Sequence, residues 1–118
     1  MNVNRLQYNE LKYNEEGLIP AIIQDVDTRE VLMLAWMNRE SLTLSFQTKK
    51  ATFWSRSRNK IWVKGEESGN IQTLVNIYYD CDADTLLVMV KQKGVACHTG
   101  SRTCFYRELT EKGETSGE

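Results

Sequence analysis

The apolar residues of this sequence occur in short runs, the longest of which spans residues 31–37. A membrane-spanning helix needs about 20 apolar residues, so we expect no membrane-spanning segment and no membrane as a partner. The first 18 residues also lack the apolar segment of an export signal. The sequence therefore predicts a cytoplasmic protein. It also predicts a fold built largely from strands, because short apolar runs separated by turn-forming residues are typical of β-strands.

These runs define the predicted elements. The predicted strands are 18–26, 30–35, 51–57, 60–64, 71–79, 85–92 and, as a short last strand, 104–109. Asn38 is expected to cap a helix of about ten residues, with Leu42 and Phe46 on one face. We predict an α+β, mostly β, single domain over residues 1–118, with 1–16 as an N-terminal arm or helix and 110–118 as a frayed tail.

The near-neutral net charge argues against non-specific electrostatic binding to polyanions. Fifteen basic and 16 acidic residues leave a net charge of -1, which does not favour nucleic acid or anionic lipid as a partner. A local basic patch remains compatible with this balance.

Three cysteines, Cys81, Cys97 and Cys104, carry the main chemical signal. Because the number is odd, the three cysteines cannot all pair within one chain, and no C-x-x-C pair occurs. In a chain with no export signal, thiols are expected to stay reduced. Three buried thiols are one interpretation. The sequence neighbours favour a metal site instead, because Cys97 precedes the only histidine, His98, and Cys81 lies between two aspartates. Three thiolates suit a catalytic zinc, which keeps a position for water and lowers the pKa of that water to about 7.

His98 has two possible roles beside Cys97. It could complete a closed structural site with three cysteines, or it could carry a proton. Adjacent residues rarely both reach one tetrahedral ion, so we favour the proton carrier as the catalytic role of His98.

Aspartates alternate with other residues at Asp80, Asp82 and Asp84. On an extended chain their side chains would share one face, with Cys81 on the other. Carboxylates gathered in this way suit Mg²⁺. A solvated acidic turn is the alternative.

A basic, aromatic stretch follows the predicted helix. On an extended strand Trp54, Arg56 and Arg58 would share one face, where they could stack a base and hold a phosphate. The commoner arrangement is a strand pair with core aromatics. A polar loop next to it adds further candidate substrate contacts at Lys64, Glu66, Ser68 and Asn70.

Together these segments resemble the phosphoribosyl-AMP cyclohydrolases of histidine biosynthesis. The motifs that carry the resemblance lie between residues 17 and 107 and are GLIPA, VLMLAWMN, FWSRSR, WVKGE, SGN, DCDAD, CHTG and CF. The most diagnostic combination is the acidic cysteine run DCDAD together with CHTG.

The resemblance implies a compact β-rich pseudobarrel that works as a homodimer, with a zinc site shared between the chains. Cys81, Cys97 and Cys104 match the zinc ligands, and Asp80, Asp82 and Asp84 match a magnesium site. The implied substrate is the small nucleotide phosphoribosyl-AMP, whose purine ring is opened between N1 and C6. We expect zinc-activated hydroxide to attack C6 while His98 moves the proton. A zinc-stabilised RNA-binding module and a protein-assembly module remain the alternatives.

Overall fold

The computed structural model describes residues 10–113, which form one six-stranded sheet and one helix. The elements are β1 (Ile19–Asp25), β2 (Val31–Met37), α1 (Arg39–Thr48), β3 (Thr52–Ser55), β4 (Lys60–Val63), β5 (Gln72–Tyr79) and β6 (Leu86–Gln92). This confirms the predicted α+β, mostly β class. In the part of the chain that the structure describes, no helix is long and apolar enough to cross a membrane.

Strand β1 lies at the centre of the sheet, whose order is β4-β3-β2-β1-β6-β5. It pairs antiparallel with β2 and parallel with β6. Every second side chain of β1, including Ile19, Ala21 and Ile23, is fully buried. The alternation that predicted a strand therefore places one face of β1 in the core.

Helix α1 begins where the sequence predicted. The Asn38 side chain accepts the Ser41 backbone N–H at 2.8 Å, and the Ser41 hydroxyl accepts the Asn38 N–H at 2.9 Å. The helix ends at Lys49, whose φ of 63° lies in the left-handed region. Leu42 is buried against the sheet, as its spacing predicted.

Backbone hydrogen bonds connect edge strand β5 to the segment that leads into β3. The N–H of Ala51 donates to the carbonyl of Gln72, and the N–H of Leu74 donates to that of Lys49, both at 2.9 Å. The sheet is thereby curled into a half-barrel around the core. The predicted β-rich pseudobarrel is confirmed in this form.

Strand β3 ends two residues before the predicted end at residue 57. That strand ends at Ser55, and residues 56–59 form the turn to β4. The Ser55 hydroxyl accepts the N–H of Arg58 at 3.2 Å, and Asn59 has a positive φ of 53°. Arg56 and Arg58 therefore do not share a strand face with Trp54, because the turn takes up two residues more than predicted.

The predicted last strand over 104–109 was also wrong. Cys104 donates its N–H to the carbonyl of Leu32 at 2.7 Å, but within residues 10–113 no strand follows, and only Leu109 forms an isolated bridge. The Thr103 hydroxyl instead contacts the carbonyls of Val31 and Leu32 at 2.7 and 3.1 Å and accepts the N–H of Phe105 at 3.1 Å. A side chain thus takes up the hydrogen bonds that a ladder would need.

The two ends lie partly outside the described residues. Of the predicted arm, residues 1–9 are not described, while Leu11 packs into the core and Lys12 donates its N–H to the carbonyl of Ala83 at 2.8 Å. Of the predicted tail, residues 110–113 are described, and 111–113 form an exposed turn.

Candidate metal centre and substrate site

Two of the three cysteines meet at what we call the cysteine corner, formed by Cys97, Cys104 and Lys64. Cys97 is buried in a tight loop that is closed by hydrogen bonds from Cys97 N–H to the Ser101 carbonyl and from Gly100 N–H to the Cys97 carbonyl. Cys104 is held on β2 by its own N–H. The two thiols are neighbours, because each contributes to the pKa shift of the other.

The corner favours a thiolate at Cys97. The Thr99 hydroxyl, 3.0 Å from the Cys97 sulfur, and the Thr99 backbone lower the pKa of Cys97, as do Cys104 and the charge of Lys64. Partial burial and the neighbouring Cys97 raise the pKa of Cys104. Burial lowers the pKa of Lys64, while the two sulfurs act to raise it. The corner thus combines one sulfur of lowered pKa with a half-buried lysine.

His98 follows Cys97 on the same turn and is exposed. Its neighbour in sequence is buried, so the loop presents the imidazole-bearing residue toward solvent and the sulfur toward the core. Such a position leaves His98 accessible to a molecule bound over the corner.

The acidic run forms the turn between β5 and β6, which we call the acidic turn (residues 80–84). Carboxylate oxygens of Asp80, Asp82 and Asp84 all lie within 4.8 Å of one another, and all three residues are exposed. The segment is not extended, so the shared strand face does not apply: the Asp80 N–H donates to the Thr85 carbonyl at 3.1 Å and Ala83 has a φ of 61°. The turn, not a strand face, brings the carboxylates together.

Hydrogen bonds stabilise the ionised form of Asp80. Although desolvation acts to raise the pKa of Asp80, its bonds with Asp84, Thr85 and Ala83 outweigh this and lower that pKa. The Asp84 N–H donates to the Asp80 carboxylate at 3.1 Å. The turn therefore keeps negative charge, as a site for a hard cation requires.

Cys81 lies in the acidic turn and not at the cysteine corner. It is exposed, and its sulfur is 3.9 Å from a carboxylate oxygen of Asp82. Over residues 10–113, the three carboxylates of the acidic turn are the only group of three or more potential ligands within 4.8 Å of one another. One chain therefore brings two of its sulfurs together and leaves the third apart.

Trp54 and Arg56, two predicted substrate contacts, do come together. They line a surface cavity of about 430 Å³ whose other walls are Glu16, Leu18, Asn38 and Asn59. The Arg56 guanidinium also lies 4.6 Å over the ring of Trp36. Trp36 was not among the predicted substrate contacts, although it pairs with Trp54 across β2 and β3.

The remaining predicted contacts divide between two places. Arg58 is exposed on the β3–β4 turn. Lys64 is at the cysteine corner, where it begins the polar loop that carries exposed Glu66 and Ser68 and ends at half-buried Asn70. A tight turn closes this loop: Gly65 has a φ of 82°, and a Cβ there would collide with the Asn70 backbone.

Comparison with known proteins assigns the family. The model of the phosphoribosyl-AMP cyclohydrolase family matches residues 33–106. A phosphoribosyl-AMP cyclohydrolase of Chlorobium phaeovibrioides is 57% identical over 103 residues, which cover 87% of this chain and 75% of the relative. One of Archaeoglobus fulgidus is 60% identical over 100 residues, covering 85% of this chain and 93% of the relative. With this identity over most of both chains, the chain belongs to the phosphoribosyl-AMP cyclohydrolase family of hydrolases.

Proposed function

We propose that this chain hydrolyses phosphoribosyl-AMP, opening the purine ring between N1 and C6 to give the formimino aminoimidazole carboxamide ribotide of histidine biosynthesis. Family membership supports the reaction. The observation that carries the chemistry is the cysteine corner, where a sulfur with a lowered pKa lies beside a second sulfur and a half-buried lysine.

Cys97 and Cys104 would hold a zinc ion together with Cys81 of a second copy of the chain. Thiolates are the form of cysteine that binds zinc, so the lowered pKa of Cys97 suits this role. The third sulfur is exposed on the acidic turn, where another chain can reach it. When bound, zinc supplies a water acidic enough to react at neutral pH.

Exposed apolar side chains support a homodimer. They occur on β2, on β5 and in the segment after Cys104, and they are Val31, Leu34, Val75, Tyr78, Tyr79, Phe105, Tyr106 and Leu109. Large apolar side chains exposed together are typical of protein interfaces.

We assign proton transfer to His98. It is exposed one residue after a proposed zinc ligand, and histidine exchanges protons near neutral pH. In the reaction it would take a proton from the attacking water and deliver it to the ring nitrogen that departs. Lys64, also at the corner, would face the developing negative charge.

The acidic turn would bind Mg²⁺ through Asp80, Asp82 and Asp84. Three carboxylates within 4.8 Å of one another offer the oxygen ligands that Mg²⁺ prefers. Their mutual repulsion also falls when a divalent cation is bound.

The substrate carries two phosphates, and cationic residues are available for them at two places. Arg56, beside Trp54 in the surface cavity, and Arg58 on the adjoining turn would contact one end of the nucleotide. Lys64, Glu66, Ser68 and Asn70 on the polar loop would contact the part that lies near the cysteine corner. A purine stacked on an aromatic ring and a phosphate held by arginine are common modes of nucleotide binding.

Mixing two inactive variants tests the shared zinc site. Cys81→Ser and Cys97→Ser should each lose zinc and turnover. If the two chains are refolded together, a mixed dimer has one intact site, formed by Cys81 of one chain and Cys97 and Cys104 of the other. Half of the dimers would be mixed, so about one quarter of wild-type activity should return. Activity follows from the absorbance change of ring opening, and zinc is measured by elemental analysis.

The matched control is a mixture of Cys97→Ser and Cys104→Ser. These variants alter the same half of the site, so the mixed dimer has no intact centre and should stay inactive. Recovery in this control, or no recovery in the first mixture, would contradict a site shared between chains. Stoichiometric zinc in purified Cys97→Ser would show that the ligand set is wrong.

A further inference from the structure

Asp25, at the end of β1, is a buried carboxylate that the proposed reaction does not use. Only 3% of its surface is exposed. One oxygen accepts the backbone N–H groups of Asp27 and Thr28 at 3.1 and 2.8 Å, and the other accepts that of Gln92 at 3.2 Å. Asp25 therefore joins the β1–β2 turn to the end of β6, which leads into the loop that carries Cys97.

Arg102 extends these contacts into that loop. One terminal nitrogen lies 3.5 Å from the Asp25 carboxylate, and Nε donates to Glu30 at 2.8 Å. The other terminal nitrogen donates to the Gly94 carbonyl at 3.3 Å, and the Arg102 carbonyl accepts the N–H of Ala96 at 3.1 Å. The side chain thus ties the Cys97 loop to the β1–β2 hairpin.

Cys104 reaches the same hairpin by a separate route. Thr103 and the N–H of Cys104 hydrogen-bond to the backbone of β2 at Val31 and Leu32. Arg102 therefore lies between Cys97 and Cys104 in sequence, and its side chain contacts the same hairpin that holds Cys104.

We propose that Arg102 is a positioning residue of the zinc centre, a proposal that rests on the zinc site of the proposed function. It holds the Cys97 loop so that the Cys97 and Cys104 sulfurs stay paired for one metal ion. The planar guanidinium is needed because it reaches Asp25, Glu30 and the Gly94 carbonyl from three different nitrogens. A lysine keeps the charge but has one nitrogen and cannot make all three contacts.

The test compares Arg102→Gln and Arg102→Lys with the wild-type full chain. Zinc affinity is measured by competition with a chromophoric chelator, and the geometry of the centre by the visible spectrum of the cobalt(II) form. Groups that orient metal ligands change metal affinity by about 10–100-fold when they are altered. We expect both variants to bind zinc at least about tenfold more weakly, with altered cobalt bands.

Lys91→Gln is the matched control. It removes one positive charge and an exposed ion pair with Asp27 on the same hairpin turn, at 3.6 Å. It should leave zinc affinity and the cobalt spectrum unchanged. Glu30→Gln weakens a single partner of Arg102 and should lower the zinc affinity by less than the Arg102 variants do. It keeps the proposal testable if Arg102→Gln does not fold.

Each result decides the proposal. Wild-type zinc affinity in Arg102→Lys would show that charge alone matters and would overturn positioning by the guanidinium. Wild-type affinity in Glu30→Gln and both Arg102 variants would overturn it as well. Absence of stoichiometric zinc in the wild-type dimer would instead refute the zinc centre itself, so the two failures are distinguishable.

Discussion

The cysteine corner and the acidic turn are both candidate metal sites, but they are built in different ways. The acidic turn consists of five consecutive residues, and the hydrogen bonds that shape it link residues only a few positions apart. One further bond, from the Lys12 N–H to the Ala83 carbonyl, ties it to the start of the described chain. The corner combines Lys64 after β4 with two sulfurs from the 97–104 segment, and contacts to the β1–β2 hairpin support it. The carboxylates of the acidic turn are therefore gathered by local contacts, whereas the corner depends on contacts between segments far apart in the chain.

They also differ in completeness. The acidic turn already gathers three carboxylates within 4.8 Å in a single chain. The corner gathers two sulfurs, while the third cysteine, Cys81, is exposed on the acidic turn. A ligand set that is contiguous in sequence can thus form within one chain, whereas in the proposed zinc site this dispersed set is completed by a second copy.

The largest expected effect is a loss of turnover without a loss of zinc when His98 is replaced. His98→Ala should lower kcat by about 10²–10⁴-fold, because general acid–base catalysis contributes that much. Zinc content and melting temperature should stay at wild-type values, since His98 is exposed and is not a proposed ligand. The measurements are the ring-opening assay and elemental analysis. Near-normal kcat would remove His98 from the mechanism, and lost zinc would make it a ligand.

A smaller effect tests how much the contacts of Asp25, which join the β1–β2 turn to the end of β6, stabilise the fold. Asp25→Asn should lower the free energy of unfolding by about 2 kcal/mol at pH 7, because hydrogen bonds to a charged group are each worth about 1.5–3 kcal/mol. Burial acts to raise the pKa of Asp25, but the hydrogen bonds from Thr28, Gln92 and Asp27 outweigh it and lower that pKa. The measurement is urea unfolding from pH 7 down to pH 2.

The sign of the pH dependence follows from that lowered pKa. The stabilisation is fully present above the unfolded value of about 3.9 and is lost as pH falls through the lower folded value. The gap between wild type and Asp25→Asn should therefore close in acid. Asp27→Asn, at an exposed carboxylate of the same turn, should change stability little. A gap that stays constant with pH would contradict this account.

The smallest effect concerns the acidic turn alone. Asp82→Asn should weaken Mg²⁺ binding by about tenfold, because one charged ligand is lost, and should leave the zinc content unchanged. Asp82 accepts no backbone hydrogen bond among those described, so the turn should persist. Isothermal titration with Mg²⁺ measures the effect, again with Asp27→Asn as control. Equal Mg²⁺ affinity would refute the magnesium site, and a parallel loss of zinc would show that the two sites are not independent.

Elements with strong local signals were predicted closely. The Asn38 cap and the β1 strand agree with the structure, because a capping side chain and an alternating apolar pattern act over a few residues. The turn after Ser55 and the segment after Cys104 were predicted wrongly. In both, side-chain hydroxyls of Ser55 and Thr103 take up hydrogen bonds that extended pairing would have used.

By itself the sequence determined the strand and helix pattern, the chemical types available for metal and substrate, and the family resemblance, since these reside in local order and composition. Only the tertiary structure decided that Lys64 lies beside Cys97 and Cys104, that Cys81 lies elsewhere, and that Trp36 and Arg56 stack. The reason is physical. Those placements depend on hydrogen bonds and packing between residues far apart in the chain, which form only when the sheet curls and closes.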